Sequence, residues 1–390
     1  MIRRNSFFVV FISVFTALFF VVPITHSFKV VHYSTTIGAA IFYMSTVFYF
    51  IVLSLSFIIN LDKIAALKYS FMTGLFCIMI VFALAITIFY GGEIEDIAGN
   101  MLRYLNSFLI YLNARIFPEV YANLKLKNRL IKFGFIGTVT ALIIVYYNIL
   151  TGGNVYLGLS TENLIPFIAN NLKNNPFNVL LGLVMIVMGG KRGMILSSLL
   201  GLMIFLVFKQ TGTKKAIPLF FTLLIPIVGI WITIQDASIL KSLPKTMQNR
   251  VAPFVINSDK EQFNIRNATA GRNEEVETVI RIWKQDPLSA IVGRGYGAAF
   301  QLSGEDMTDS TVHISPIGVA FISGIPLTLF LYGYLIYVAF RSIKQIKHTP
   351  EYTFWYYIFI SLILNSFSVF IVFQAPLIWL SLAQLERKKI

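Results

Sequence analysis

Between residues 177 and 208 the chain carries no charge except two adjacent cations, Lys191 and Arg192, in the stretch GGKRG. Further on, Arg266, Arg272, Arg294 and a histidine, His313, fall in or at the edge of one long polar segment, residues 235–313. A guanidinium presents a planar fork of donors that matches phosphate and carboxylate oxygens, and an imidazole, with an ordinary pKa of about 6.5, exchanges protons near neutral pH. Together these residue types can bind an anion and move a proton. Each also has a structural reading: ion pairing for Arg266 and Arg294, and an interfacial hydrogen bond for His313. His26, His32 and His348 sit in short loops with no metal-ligand spacing, and serine, histidine and aspartate are too scattered for a hydrolytic triad.

The elements that must position these groups are membrane spans. Of 390 residues, 56% are hydrophobic and only 13% charged, and the mean hydropathy is +0.74, which excludes an ordinary soluble domain. In such a chain a net charge of +14 reads as basic cytoplasmic loops rather than a nucleic-acid surface. MIRRN followed by apolar residues 7–25, with no small-residue cleavage site, reads as a retained first span. Cys77, the single cysteine, lies in an apolar segment and reads as a small buried hydrophobe.

Segments near the roughly 20 residues needed to cross are 7–25, 37–59, 68–90, 132–150, 214–234 and 314–340. A weaker span runs from 101 to 117, with Arg103 and Arg115 near its ends. The run 177–208 is too long for one span, so two helices meet at KRG. The run 353–385 splits into two short helices, broken between Asn365 and Pro376. The loops alternate by charge as far as Leu150. Keeping KQTGTKK, RSIKQIKH and ERKKI on the basic, cytoplasmic side then requires one more crossing, which residues 156–172 supply as a sixth helix. The expected fold is an all-α polytopic membrane protein of about 12 transmembrane helices, a single integral domain over 1–390. Residues 235–313 then form one large periplasmic loop, and KRG lies on the same side.

That loop carries nine Lys/Arg and ten Asp/Glu, so the positive excess lies elsewhere. Within it, GRNEEVETVIRIWKQDP reads as an amphipathic helix: Val276, Val279, Ile280 and Trp283 recur at helical spacing, Glu274 and Glu275 suit the first turn, and Pro287 follows the end. Arg272, four residues before Val276, falls on the side facing the bundle. GRGYG, residues 293–297, has no preceding strand and reads as a tight turn rather than a nucleotide loop. Tyr296 and Trp283 either stack on sugars or pack the loop onto the bundle. The acidic GGEIED is a base or metal patch, or simply an outer loop.

In order along the chain, KRGMILSSLL, GRNEEVETVIRIWKQDPLSAIVGRGYG and HISPIGVAFISGIPLTLFL resemble the O-antigen polymerase and O-antigen ligase superfamily of membrane glycosyltransferases. The resemblance covers roughly residues 177–340. It rests on the basic-Gly turn between two helices, on Arg272 with Pro287 fifteen residues later, on Gly293, Gly295 and Gly297, and on His313 with Gly324 eleven residues later. The ligase-type motif has a polar residue after the histidine, where Ile314 stands here, and a second glycine where Leu327 stands; polymerase is therefore the expected branch, with ligase as the alternative.

The resemblance implies an inverting, metal-independent transfer, without a cofactor, from an undecaprenyl pyrophosphate-linked oligosaccharide at the periplasmic face of a bacterial inner membrane. It implies a lipid bilayer environment and, as protein partners, a chain-length regulator and a flippase. Arg192 and Arg272 would stabilise the departing pyrophosphate, and His313 would take the proton of the acceptor hydroxyl. Lys191, Arg266, Arg294 and Tyr296 would contact substrate. The helices flanking KRG are short for a ~30 Å hydrocarbon core, which sets that turn low. A polysaccharide flippase or transporter is the competing class, though such folds usually show internal repeats and the sequence shows none.

Overall fold

The computed structural model describes residues 36–62, 70–116, 124–151, 161–172, 175–189, 192–209, 272–301, 308–309, 312–346, 350–368 and 372–387, with positions 21, 24 and 27. The expected spans 7–25 and 214–234, the KQTGTKK loop and residues 235–271 lie outside these.

The described chain is predominantly helical. Three helices are long and apolar enough to cross a membrane: α2 (Phe71–Tyr90), most of α4 (Leu124–Leu150) and α11 (Ile325–Ile346). Ser70 starts α2 by accepting the Thr73 N–H at 3.1 Å, and Gly91 ends it. α1 (Thr36–Ile59) matches the expected span 37–59. Cys77 departs from expectation: it lies exposed on α2 rather than buried.

α3 (Ile94–Ile116) is the organising element. Glu95 and Asp96 stand in its first turn and Arg115 in its last, the arrangement that complements a helix dipole, so the acidic GGEIED is the start of this helix. Several of its polar residues are matched by distant parts of the chain, although buried Asn106 Oδ1 has no partner among the described residues. Asn100 Nδ2 donates to the Tyr296 carbonyl (2.8 Å). Ser107 Oγ donates to the Phe373 carbonyl (3.0 Å), and Asn113 Oδ1 accepts from Ser56 (2.6 Å). The Tyr111 hydroxyl donates to Glu386, which also accepts from Tyr334 (2.7 Å). A helix this polar is tolerated within a bundle because its groups face protein. These contacts define two ends of the bundle, one at Gly91 and Tyr296, the other at Tyr111 and Glu386. Between them Tyr104 stacks on Phe373 at 3.8 Å, and Phe76 meets Trp379 edge-on at 4.7 Å.

Of the expected sixth helix, 156–172, residues 156–160 lie outside the described ones. Among the described residues, a 3-10 turn (Glu162–Leu164) and α5 (Ile165–Asn171) cover ten positions, about 15 Å at a helical rise and half of a hydrocarbon core. The chain nevertheless returns along the bundle. Asn163 abuts Gly134, sixteen residues or about 24 Å back from Leu150 along α4, and α6 (Pro176–Met188) rises again to place the Met188 carbonyl 3.1 Å from the Tyr146 hydroxyl. The turn after α6 therefore shares an end with the close of α4.

The expected single span 314–340 is in fact two helices. α10 (Ser315–Ser323) stops at Gly324, whose φ is +85°, and α11 turns back alongside it. Ser315 lies within hydrogen-bonding reach of Tyr332, seven residues into α11, and Tyr332 donates to Ser366 Oγ at 3.1 Å. Gly324 is obligatory here: the positive φ disfavours other residues, and a β-carbon would collide with the Ile291 carbonyl. His313, expected at the mouth of a span, is instead about 10 Å inside the bundle from that turn.

α12 (Pro350–Ser366) and α13 (Pro376–Leu385) form the expected pair of short helices, with the break where Pro376 caps the second. α7 (Arg192–Lys209) runs antiparallel to α12: Gly193 meets Asn365 and Ser368, Gly201 meets Ser361, and Phe205 meets Tyr357.

Candidate functional site

Three interruptions of the helical bundle converge at one depth. Proline or glycine marks each: Gly189 ends α6 before α7 begins, Pro376 opens α13, and Pro316 sits in the first turn of α10. The side chain of Ser368 lies against Gly193, the Val372 N–H donates to Ser315 Oγ at 3.3 Å, and Tyr332 reaches both Ser366 and Ser315. The turn before α7 and the turn bearing His313, more than 100 residues apart in sequence, are thus joined through residues 365–375. Beside Gly193, Asn365 is fully buried and its Nδ2 has no hydrogen-bond partner among the described residues. An unpaired buried donor is costly unless something else engages it.

His313 is gripped from one side. α8 (Arg272–Gln285) presents Glu275, whose side chain is 6% exposed, so that Oε2 accepts the His313 backbone N–H at 2.8 Å and Oε1 lies 2.7 Å from His313 Nδ1. The His313 side chain is 44% exposed, and Glu275 engages the ring only at Nδ1. The buried stripe of α8 runs through Glu275, Thr278 and Val279, with Ile280 40% exposed; it is rotated from the expected Val276, Val279, Ile280, Trp283 face because Glu275 is drawn inward to His313. Arg272 stands three residues before Glu275 and so shares its face of the helix, half-buried. Asp286 caps the next helix, α9 (Pro287–Val292), by accepting the Ser289 N–H, and Pro287 opens that helix rather than merely following α8.

The GRGYG loop lies at the other end of α10. Arg294 N donates to the Phe321 carbonyl (2.8 Å) and its guanidinium packs over the Tyr90 ring at 5.2 Å, while Tyr90 donates to Asp286 (2.8 Å). Phe321 is six residues, about 9 Å, along α10 from Ser315. Neither Arg294 nor Tyr296 is brought to the His313 turn. Tyr296 is fully buried, edge-on to Tyr104 at 5.3 Å, its N–H donated to Thr87 Oγ1 (2.7 Å) and its hydroxyl without a partner among the described residues; burial pushes its phenol pKa up. It packs the loop onto the bundle and offers no ring face to a sugar. Gly295 has φ +75° and lies against the backbone of Thr87, leaving no room for a β-carbon. Trp283 is half-buried against the core.

Of the remaining expected residues, Arg192 opens α7 beside Gly193, whereas Lys191, Arg266 and the Arg192 side chain lie outside the described residues. Among the described residues no three His, Cys, Asp or Glu side chains cluster as a metal ion would require. Two members of the site escape sequence reasoning. Glu275 reads as a helix-start acid, although its i+3 relation to Arg272 and i−4 relation to Val279 place it on the inner stripe; Asn365 reads as part of a helix break. The chemistry available is an imidazole held by a carboxylate, an arginine one turn away, and a helix start that follows a basic turn at the same depth. Comparison with protein-family models, curated proteins and solved structures finds no match for the chain.

Proposed function

We propose that this chain is a polytopic membrane glycosyltransferase of the O-antigen polymerase type. It transfers a growing glycan from undecaprenyl pyrophosphate to a lipid-linked repeat unit at the periplasmic face of a bacterial inner membrane. The observation that carries the reading is the convergence of the start of α7, at Gly193, with the His313 turn through Ser366, Ser368 and Val372, about 10 Å inside the Gly91 end of the bundle. A pyrophosphate at headgroup depth needs cations there, and a proton acceptor must stand close to the bond that breaks. In this reading Arg192 and Arg272 stabilise the departing pyrophosphate and His313 serves the acceptor hydroxyl. The chain crosses the bilayer twelve times, with 235–313 periplasmic, and the chain between α4 and α6 makes the return that the sixth crossing requires. That return puts the ends of α4 and α6 on one side, consistent with a periplasmic KRG turn.

Deleting the gene and analysing surface glycan tests the proposal. A lipid A core capped with single repeats supports polymerase. Lipid-linked polymer that accumulates without capping supports the ligase alternative, and normal glycan removes both. Complementation with Arg192→Ala, Arg272→Ala or His313→Ala is expected to fail at normal protein levels; full activity of all three rejects the site.

A further inference from the structure

The grip of Glu275 on His313 fixes more than the position of the ring. A carboxylate has no proton to give, and both of its oxygens are engaged with His313: Oε2 by the backbone N–H at 2.8 Å and Oε1 by Nδ1 at 2.7 Å. The second contact is a hydrogen bond only if Nδ1 carries the hydrogen. We infer that Glu275 is a positioning residue that holds His313 in the Nδ1–H tautomer, so that an unprotonated Nε2 faces outward as the base. The inference rests on the glycosyltransferase reading for what the base acts on, but the tautomer itself follows from this geometry alone.

The surroundings supply the reason for such a device. His313 stands between chain that enters from the polar segment and α10, which begins at Ser315. With its ring 44% exposed, the side chain is not locked by packing. Glu275 is buried on a fourteen-residue helix and is therefore a rigid anchor. Its two-point hold ties the ring and the backbone of the same residue to α8, the helix that begins with Arg272. Anion-binding and proton-accepting groups are thereby held in one register.

In the proposed transfer the acceptor hydroxyl gives its proton to Nε2 as its oxygen forms a bond to the anomeric carbon. The bond from that carbon to the pyrophosphate oxygen breaks, and its electron pair leaves with the pyrophosphate. The ring, now protonated at both nitrogens, is neutralised by Glu275 through Nδ1–H, and the proton is later released to water. Glu275 touches neither substrate and undergoes no net change.

Glu275→Gln tests this sharply because it can keep both hydrogen bonds while inverting the tautomer. The amide oxygen accepts the His313 backbone N–H, and the amide NH₂ then donates to Nδ1, which moves the ring hydrogen to Nε2 and leaves no base. Purified full-length protein in nanodiscs, carrying ¹⁵N-imidazole histidine and assigned against His313→Asn among the four histidines, reports the tautomer by NMR on the neutral ring. The expected result is Nδ1–H in the wild type and Nε2–H in Glu275→Gln. With undecaprenyl pyrophosphate repeat units extracted from the deletion strain as substrate, Glu275→Gln is expected to lose about 100-fold in kcat with KM within about twofold, and Glu275→Asp to recover to within about tenfold of wild type. An Nε2–H ring in the wild type, or an inverted ring with kcat retained, overturns the inference. If the wild type shows the Nδ1–H ring yet transfers nothing from these donors, the positioning stands and the glycosyltransferase reading falls. The wild-type spectrum decides the tautomer even if Glu275→Gln fails to fold.

Discussion

Gly193, at the start of α7, packs so closely against Ser368 that a β-carbon would collide with the serine Oγ and crowd its Cβ. This contact sets the crossing of α7 and α12 where the basic turn meets the break in the helical pair. Gly193→Ala is expected to destabilise the folded bundle by about 1–3 kcal/mol. Gly193→Ala with Ser368→Gly should recover most of that loss, since the second change removes both colliding atoms. Thermal unfolding of the two single variants and the double variant in detergent checks the coupling.

The α10–α11 hairpin depends on Gly324 in a way that the helical Gly333 does not share. Gly324→Ala places a β-carbon on the Ile291 carbonyl at φ +85°, whereas a β-carbon at Gly333 meets nothing within 4 Å. The first variant is expected to lose about 1–3 kcal/mol or fail to accumulate, and Gly333→Ala to gain roughly 0.5–1 kcal/mol from helix propensity. Apparent melting temperatures that move in the same direction would contradict the hairpin assignment.

Tyr296 separates packing from sugar recognition. Its buried hydroxyl has no partner among the described residues, so Tyr296→Phe should leave stability within about 1 kcal/mol of wild type, or raise it, and leave glycan output unchanged. Tyr296→Ala removes the ring from its place against Tyr104 and should cost about 3–5 kcal/mol. Loss of polymer with Tyr296→Phe at normal protein levels would return this residue to the substrate.

Glu386 gives a pH signature at the opposite end of the bundle. Burial raises its pKa above the ordinary 4.5, against the opposing hydrogen bonds of Tyr111 and Tyr334 and the charges of Arg115 and Arg341. The folded state therefore holds this proton more tightly than the unfolded chain. The linked stability is present at acid pH and declines as pH rises from about 4.5 through the raised value. Glu386→Gln, which still accepts from one tyrosine, should flatten that slope; denaturation measured across this range in both proteins checks it.

Sequence reasoning succeeds where one residue dictates a local event. The short helices around KRG and the break ahead of Pro376 follow from glycine, proline and run length, and the structure has both. It fails where geometry depends on partners distant in the chain. Gly324 and Pro326 mark a local break within 314–340, but they do not say that the chain folds back there, which depends on Tyr332, Ser366 and Ile291. Equally, nothing within residues 156–172 announces the 3-10 turn at Glu162–Leu164 ahead of the helix from Ile165. At the site, Arg272 and His313 are visible by type, whereas Glu275 becomes meaningful only when His313, 38 residues away, is laid upon it. Arg294 and Tyr296 share the polar segment with His313 but are taken to the far end of α10 by the glycine loop.

The polar face of α3 also constrains how the protein is made. Asn100, Ser107 and Tyr111 find their partners at Tyr296, Phe373 and Glu386, between 196 and 275 residues later. During synthesis this helix is made long before those partners exist, with its carboxamide and hydroxyl groups lacking the contacts that later satisfy them. The core around α3 therefore stays unfinished until α13 and Glu386 have been made. Chains truncated before Phe373 would leave a half-built core exposed to lipid and to membrane quality-control proteases.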